Sequence, residues 1–212
     1  MIRGNNLDAV RTMGGVFGRC AFPLAAITSD VFQGTVRTIH QDQLGANVTG
    51  GLALTRADAN FFGGFEPQGQ IQTLYSLQMS VQTIDAAGGA FVQTGVACQG
   101  LLSNTSVRLL LKGQQYQIGS PLLYPSQQGT YQENQPGAVA PISPSQNGGP
   151  GVSIFKFPRS IPVQLQSMDQ LTLELTVERS FSMDAGAAGG TALVTAYWEA
   201  STAVSLSNLS GA

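Results

Sequence analysis

The strictest alternation of apolar and polar positions runs from Asp169 to Arg179. Leu171, Leu173, Leu175 and Val177 share one parity, and Thr172, Glu174, Thr176 and Glu178 share the other. A period of two predicts a strand with one buried face, because a helix would scatter the four apolar residues around its circumference. Upstream, Ile161, Val163 and Leu165 alternate with Pro162, Gln164 and Gln166. Ser167, Met168 and Asp169 are few enough to make a hairpin loop, so the two segments are expected to pair with each other. Pro162 has no N–H to give to a ladder, so its strand is expected either to lie at a sheet edge or to begin near Pro162.

The same period recurs along the chain. Tyr75, Leu77, Met79, Val81 and Thr83 alternate with Ser76, Gln78, Ser80 and Gln82, and after a turn at Asp85–Gly89 the segment Phe91–Ala97 is placed to pair back. Val107, Leu109 and Leu111 precede the turn Lys112-Gly113-Gln114, and Tyr116 and Ile118 mark a returning strand. Leu193 to Glu199 alternates with Ala192 to Ala200, but both parities are largely apolar, which predicts a central or covered strand. From Gly69 onward this gives seven or eight short strands with turn signals between them and no βαβ rhythm. The fold class expected is all-β, a sandwich or barrel over residues 66–212, which the resemblance given below implies to be a single jelly-roll-like β-sandwich. Pro125 to Gly151, rich in Pro, Gln, Gly, Ser and Asn, is a long loop within it.

Residues 1–65 lack sustained alternation and are expected to form an irregular N-terminal arm. Asn5 or Asn6 could cap a short helix carrying Leu7, Val10 and Met13, with Gly14-Gly15 ending it. A few short strands would follow. The arm either reaches across to other subunits or wraps over its own core. An irregular segment has few internal hydrogen bonds to offset the entropy of ordering, so its apolar residues are expected to be buried against other subunits. On that view, removing Met1–Cys20 leaves a folded sandwich that does not assemble.

Composition narrows the function classes. Only 10% of the 212 residues are charged, where roughly a quarter is usual, and the net charge is −2. Such a surface suits a protein covered by neighbours better than a free monomer; an extracellular β protein is the other reading. Lys112 and Lys156 are the only lysines, and the basic residues do not cluster, so direct nucleic-acid binding is not expected. Cys20 and Cys98 could form one disulfide, but two buried free thiols are the preferred reading. No apolar run reaches the roughly 20 residues of a membrane-spanning helix, and no export signal is read.

Candidate chemistry is sparse. His40 has no Gly-x-Ser-x-Gly elbow to accompany it and is read as structural. Glu174 and Glu178 lie about 13 Å apart if both sit on one strand, too far for paired-carboxylate catalysis. Asn147-Gly148-Gly149 lacks the lysine of a phosphate loop. Tyr124, Tyr131 and Trp198 could stack on sugars but read as packing residues. No catalytic, cofactor-binding or metal-binding residue is assigned, no cofactor is expected, and the chain is not read as an enzyme.

Three stretches together resemble a viral capsid jelly roll: Ile161-Pro-Val-Gln-Leu followed by Asp169-Gln-Leu-Thr-Leu-Glu-Leu-Thr-Val, and Tyr116-Gln-Ile-Gly-Ser-Pro-Leu-Leu-Tyr124. With the low charge, the chain looks most like the small single jelly-roll coat proteins of tailless, internal-membrane bacteriophages. That resemblance implies a structural virion protein, a coat or minor shell subunit, standing upright in an icosahedral shell. Its partners would be copies of itself and other virion proteins, in some members above a lipid membrane. The alternative is a carbohydrate-binding β-sandwich, either lectin-like or a phage receptor-binding head.

Overall fold

The structure, a computed structural model, describes residues 9–42, 47–48, 52–53, 55–64, 70–84, 86–88, 90–91, 100–121, 163–166 and 168–205. In chain order the strands are β1 (Ala9–Pro23), β2 (Asp30–Val31), β3 (Val36–Ile39), β4 (Asn47–Val48), β5 (Leu52–Ala53), β6 (Gln70–Ile84) and β7 (Ala90–Phe91). They continue as β8 (Thr105–Leu111), β9 (Gln114–Gly119), β10 (Val163–Leu165), β11 (Leu171–Val177), β12 (Phe181–Ser182) and β13 (Thr191–Ser205). Helix among the described residues is limited to single turns at 100–103 and Ala185–Ala187 and to Pro121. The all-β, sandwich-like arrangement expected from the alternation is what the chain adopts.

Two antiparallel sheets carry the fold. The long sheet runs β1-β13-β6-β10, with β7 on the far end of β6, and the short sheet runs β3-β11-β8-β9. The pairings nest. β8 pairs with β9, outside it β6 with β10, then β3 with β11, β2 with β12, and outermost β1 with β13. Cross-pairings β13–β6 and β11–β8 join these pairs into sheets. β13 is flanked on both sides, as its two apolar parities required.

The core lies between the sheets. In the short sheet Leu173 stands opposite Ile39 on one side and Leu109 on the other. In the long sheet Trp198 stands between Val16 and Leu77. All six belong to one buried cluster with Leu171, Leu175, Val177, Cys20, Phe22, Met79 and Val81. Each large side chain so buried stabilises by about 1.5–3 kcal/mol relative to exposure. A bulge between Glu199 and Ala200 leaves Tyr75 as the extra residue on β6. It shifts the inward parity from Leu77 to Leu74, so Tyr75, expected on the core face, is only partly buried.

Three expectations are corrected. Val10 and Met13, expected on a helix, lie in a strand: Ala9–Pro23 is one 15-residue strand in register with β13 from Ala9–Ser205 to Pro23–Thr191, while Asn5, Asn6 and Leu7 lie outside the described residues. The sequence within 1–65 is therefore not only an arm, since it supplies β1 to one sheet and β3 to the other. Gly14 and Gly15, read as a helix stop, are ladder positions, and at Gly15 the Tyr197 ring occupies the space a Cβ would need. The segments flanking Ser167–Asp169 are not a hairpin: β10 pairs with β6 and β11 with β3 and β8, so the turn crosses from one sheet to the other. Period-two alternation shows which face is buried and is silent on which strand lies alongside. Here the Asp169 carboxylate accepts from Gln166 N–H at 2.8 Å, and Leu171 N–H goes to Gly64 at 2.8 Å.

By contrast, Lys112 and Gly113 do make a two-residue hairpin turn, both with positive φ (50° and 76°), as a primed turn requires. β10 is an edge strand, one of the two placements that Pro162 allowed; Pro162 itself, Cys98, Tyr124, Tyr131, Asn147–Gly149 and the loop Pro125–Gly151 lie outside the described residues.

Candidate functional site

The edge where β1 and β3 meet is closed by a strap, residues 55–64. It begins with a turn in which the Asp58 carboxylate accepts from Thr55 N–H (3.0 Å) and Thr55 Oγ1 (2.6 Å). Asp58 also pairs with Arg19 of β1 at 3.2 Å. Asn60 then acts as a short piece of strand. Its carboxamide accepts from Phe17 N–H (2.7 Å) and donates to Gly15 O (2.7 Å), while its own N–H donates to Phe17 O (3.1 Å). Further on, Gly64 N–H donates to His40 O and Gly64 O accepts from Leu171 N–H. Gly64 thus takes the place opposite Leu171 that a continued β3 would fill, at φ +72°, a conformation glycine adopts without penalty.

His40 sits under this strap. It is 4% exposed, with φ +76°. Its ring packs edge-on against Phe61 at 5.5 Å between centroids. The ring also fills the space beside Gly18, where an added Cβ would come within 2.8 Å of Nδ1. Neither ring nitrogen makes a hydrogen bond among the described residues. Burial holds the imidazole down at about 4, with the nearby Phe61 backbone opposing in small part. Cys20 is a free thiol in the core, pushed up to about 12, chiefly by burial. Arg37 opposes that shift and Asp42 adds to it. A nucleophilic cysteine needs a lowered value and an activating partner; a thiol held protonated and an imidazole held neutral are both chemically quiet.

The carboxylates are occupied structurally. Glu174 meets Arg108 at 3.1 Å and Glu178 accepts from Ser106 Oγ, on the outer face of the short sheet. Thr172, expected on that polar face, is buried because the strap covers it. Asp169 meets Lys112 at 3.0 Å. Asp30 accepts from Ser182 and Thr28, and these two bonds hold its carboxyl below the usual range. No group of three His, Cys, Asp or Glu able to hold a metal occurs among the described residues. Trp198, weighed as a sugar platform, is fully buried and cannot stack on a ligand.

What the molecule does present is surface. Residues 24–35 and 178–190 are tied together at one end through β2–β12, Leu24 N–H to Gly190 O (2.9 Å) and Ser29 Oγ to Met183 O (2.7 Å). That end exposes Ile27 (89%) and Phe32 (59%), with Val36 at the start of β3. The opposite end carries the sheet-crossing turn with Met168 (64% exposed). Tyr116 shares a face with Leu109 across β8–β9, yet is exposed. Sequence reading missed the strap; Thr55-x-x-Asp58 and Gly63-Gly64 are its only local signals.

Comparison with known proteins gives no match to a family model, a curated protein or a solved structure.

Proposed function

We propose that the chain is a structural shell subunit: a jelly-roll coat or minor shell protein of a virion that assembles with its own copies and other virion proteins. The observation that carries the reading is the nested strand order. Counting only the eight strands of the two main paths, the sheets read 1-8-3-6 and 2-7-4-5, the order of a doubled Greek key rolled into a sandwich. Fold alone does not imply function, since lectin-like domains use the same roll. Surface chemistry favours the shell. The chain is charge-poor, its acids at Glu174, Asp169 and Asp58 are spent on internal ion pairs, and large apolar side chains stand exposed at both ends. Apolar groups with few competing charges suit contacts that persist between subunits.

The test is the size of the native particle. Purified protein, in the presence of its co-expressed partners, is expected to sediment as a large closed assembly, and Ile27→Lys with Phe32→Lys should reduce it to small species with an unchanged circular dichroism spectrum. A stable monomer that binds glycans on an array would overturn the shell reading in favour of the lectin-like one.

A further inference from the structure

We propose that His40 is an acid-operated latch: protonation of its ring drives it out of the core and frees residues 55–64 from the β1 edge and from β11. The geometry supplies each part. The imidazole is enclosed by Gly18 and Ile39 on one side and Phe61 on the other, and neither nitrogen has a hydrogen-bond partner among the described residues. A cationic ring there would carry two N–H donors into the core, with only the nearby Phe61 backbone to offset part of the cost of burial. The backbone at His40 is in the left-handed region, which non-glycine residues visit sparsely. Moving the ring out relieves the burial of its charge.

What it would move is held by few bonds. The strap is fastened to β1 through Asn60 and the Arg19–Asp58 pair, to Asp42 through Gly63 N–H (3.0 Å), and to His40 and Leu171 through Gly64. Ala59 and Phe61 are its buried apolar anchors, and Phe61 packs on the very ring that would leave. Around the latch the ionisable groups are Arg19 and Cys20 on β1, Arg37 on β3, Asp42 beyond it, and Asp58 with the exposed Arg56 on the strap. Asp58 is committed to Arg19 and Thr55, and no carboxylate hydrogen-bonds or ion-pairs with the His40 ring among the described residues. Once the strap is free, Gly15 O and the Phe17 N–H and C=O on the outer edge of β1 lose their partner and can pair with another strand.

His40 is the only histidine in the chain, so its ring signal in an NMR titration is unambiguous. Hydrogen exchange of the intact protein at pH 7 and near pH 4, expressed as protection factors, reads the strap. The expected result is that amides of Phe17, Asn60, Gly64 and Leu171 lose at least about tenfold more protection in acid than those of Leu109 and Leu173. Their midpoint should coincide with the ring titration, and His40→Phe should abolish the difference. Equal loss at both sets of amides, a midpoint apart from that of the ring, or a difference that persists in His40→Phe would overturn the latch. The ring titration and its coincidence with strap opening are measured on the wild-type protein, so the proposal stays testable if the variant does not fold.

Discussion

At the scale of single residues, the chain spends its reactive side chains on structure, and His40 shows the consequence for stability. Its folded value lies near 4 and its unfolded value near 6.5, so between those limits the unfolded chain binds a proton that the folded chain does not. Stability is then fully present above about pH 6.5, falls as pH drops through the window, and reaches its lowest contribution below about 4. The loss should be on the order of 3 kcal/mol. Urea unfolding at pH 7 and pH 4.5 should show most of it, and His40→Phe should flatten the profile there. Asp30 and Asp169 have lowered values, through Ser182 and Thr28 and through the Gln166 backbone respectively. Their stabilisation is lost only at pH values below the ordinary carboxylate range, beneath the histidine window. In the core, Leu173 is fully buried between Ile39 and Leu109. Leu173→Ala should cost about 2–5 kcal/mol by the same unfolding assay; a cost under about 0.5 kcal/mol would mean that this register is wrong.

At the scale of elements, what the sequence made legible depended on whether apolar side chains filled every inward position. β6, β8, β11 and β13 were readable because leucine, valine, methionine and alanine recur at each second residue. β1 was not, because Gly18 stands where an apolar side chain would keep the period, and the ring of His40, just past the end of β3, supplies the missing volume. That substitution of one segment's side chain for another's cannot be seen along one strand. The pairing of β10 and β11 in different sheets was hidden for a related reason: alternation reports a face, never a neighbour. The strap was hidden because its strand-like work is done by one carboxamide, Asn60. The consequence for β1 is direct. Removing Met1–Cys20 deletes Val16 and Cys20 from the core and leaves most of β13 without one neighbour. The truncated chain should therefore fail to fold cooperatively, rather than fold and merely fail to assemble. Loss of a sharp thermal transition, followed by near-ultraviolet circular dichroism, is the check.

At the scale of the whole molecule, the two sheets differ in length. Strands of 15 residues span about 50 Å, whereas the seven residues of β8 and β11 span about 23 Å. The long sheet is thus a plate against which a smaller one is laid, and the described loops gather at the two ends. The nesting of strand pairs also orders the search through which the chain must fold. The innermost pair, β8 with β9, closes across a two-residue turn and can form on its own within microseconds. The outermost, β1 with β13, joins segments roughly 170 residues or more apart, and its closure is favoured only after the pairs inside it have shortened the effective loop. On a ribosome β1 is made roughly 170 residues or more before its partner β13. Until then it waits as an unpaired strand, and its three glycines, Pro23, Arg11 and Arg19 are the features that hold such a segment back from pairing with other chains.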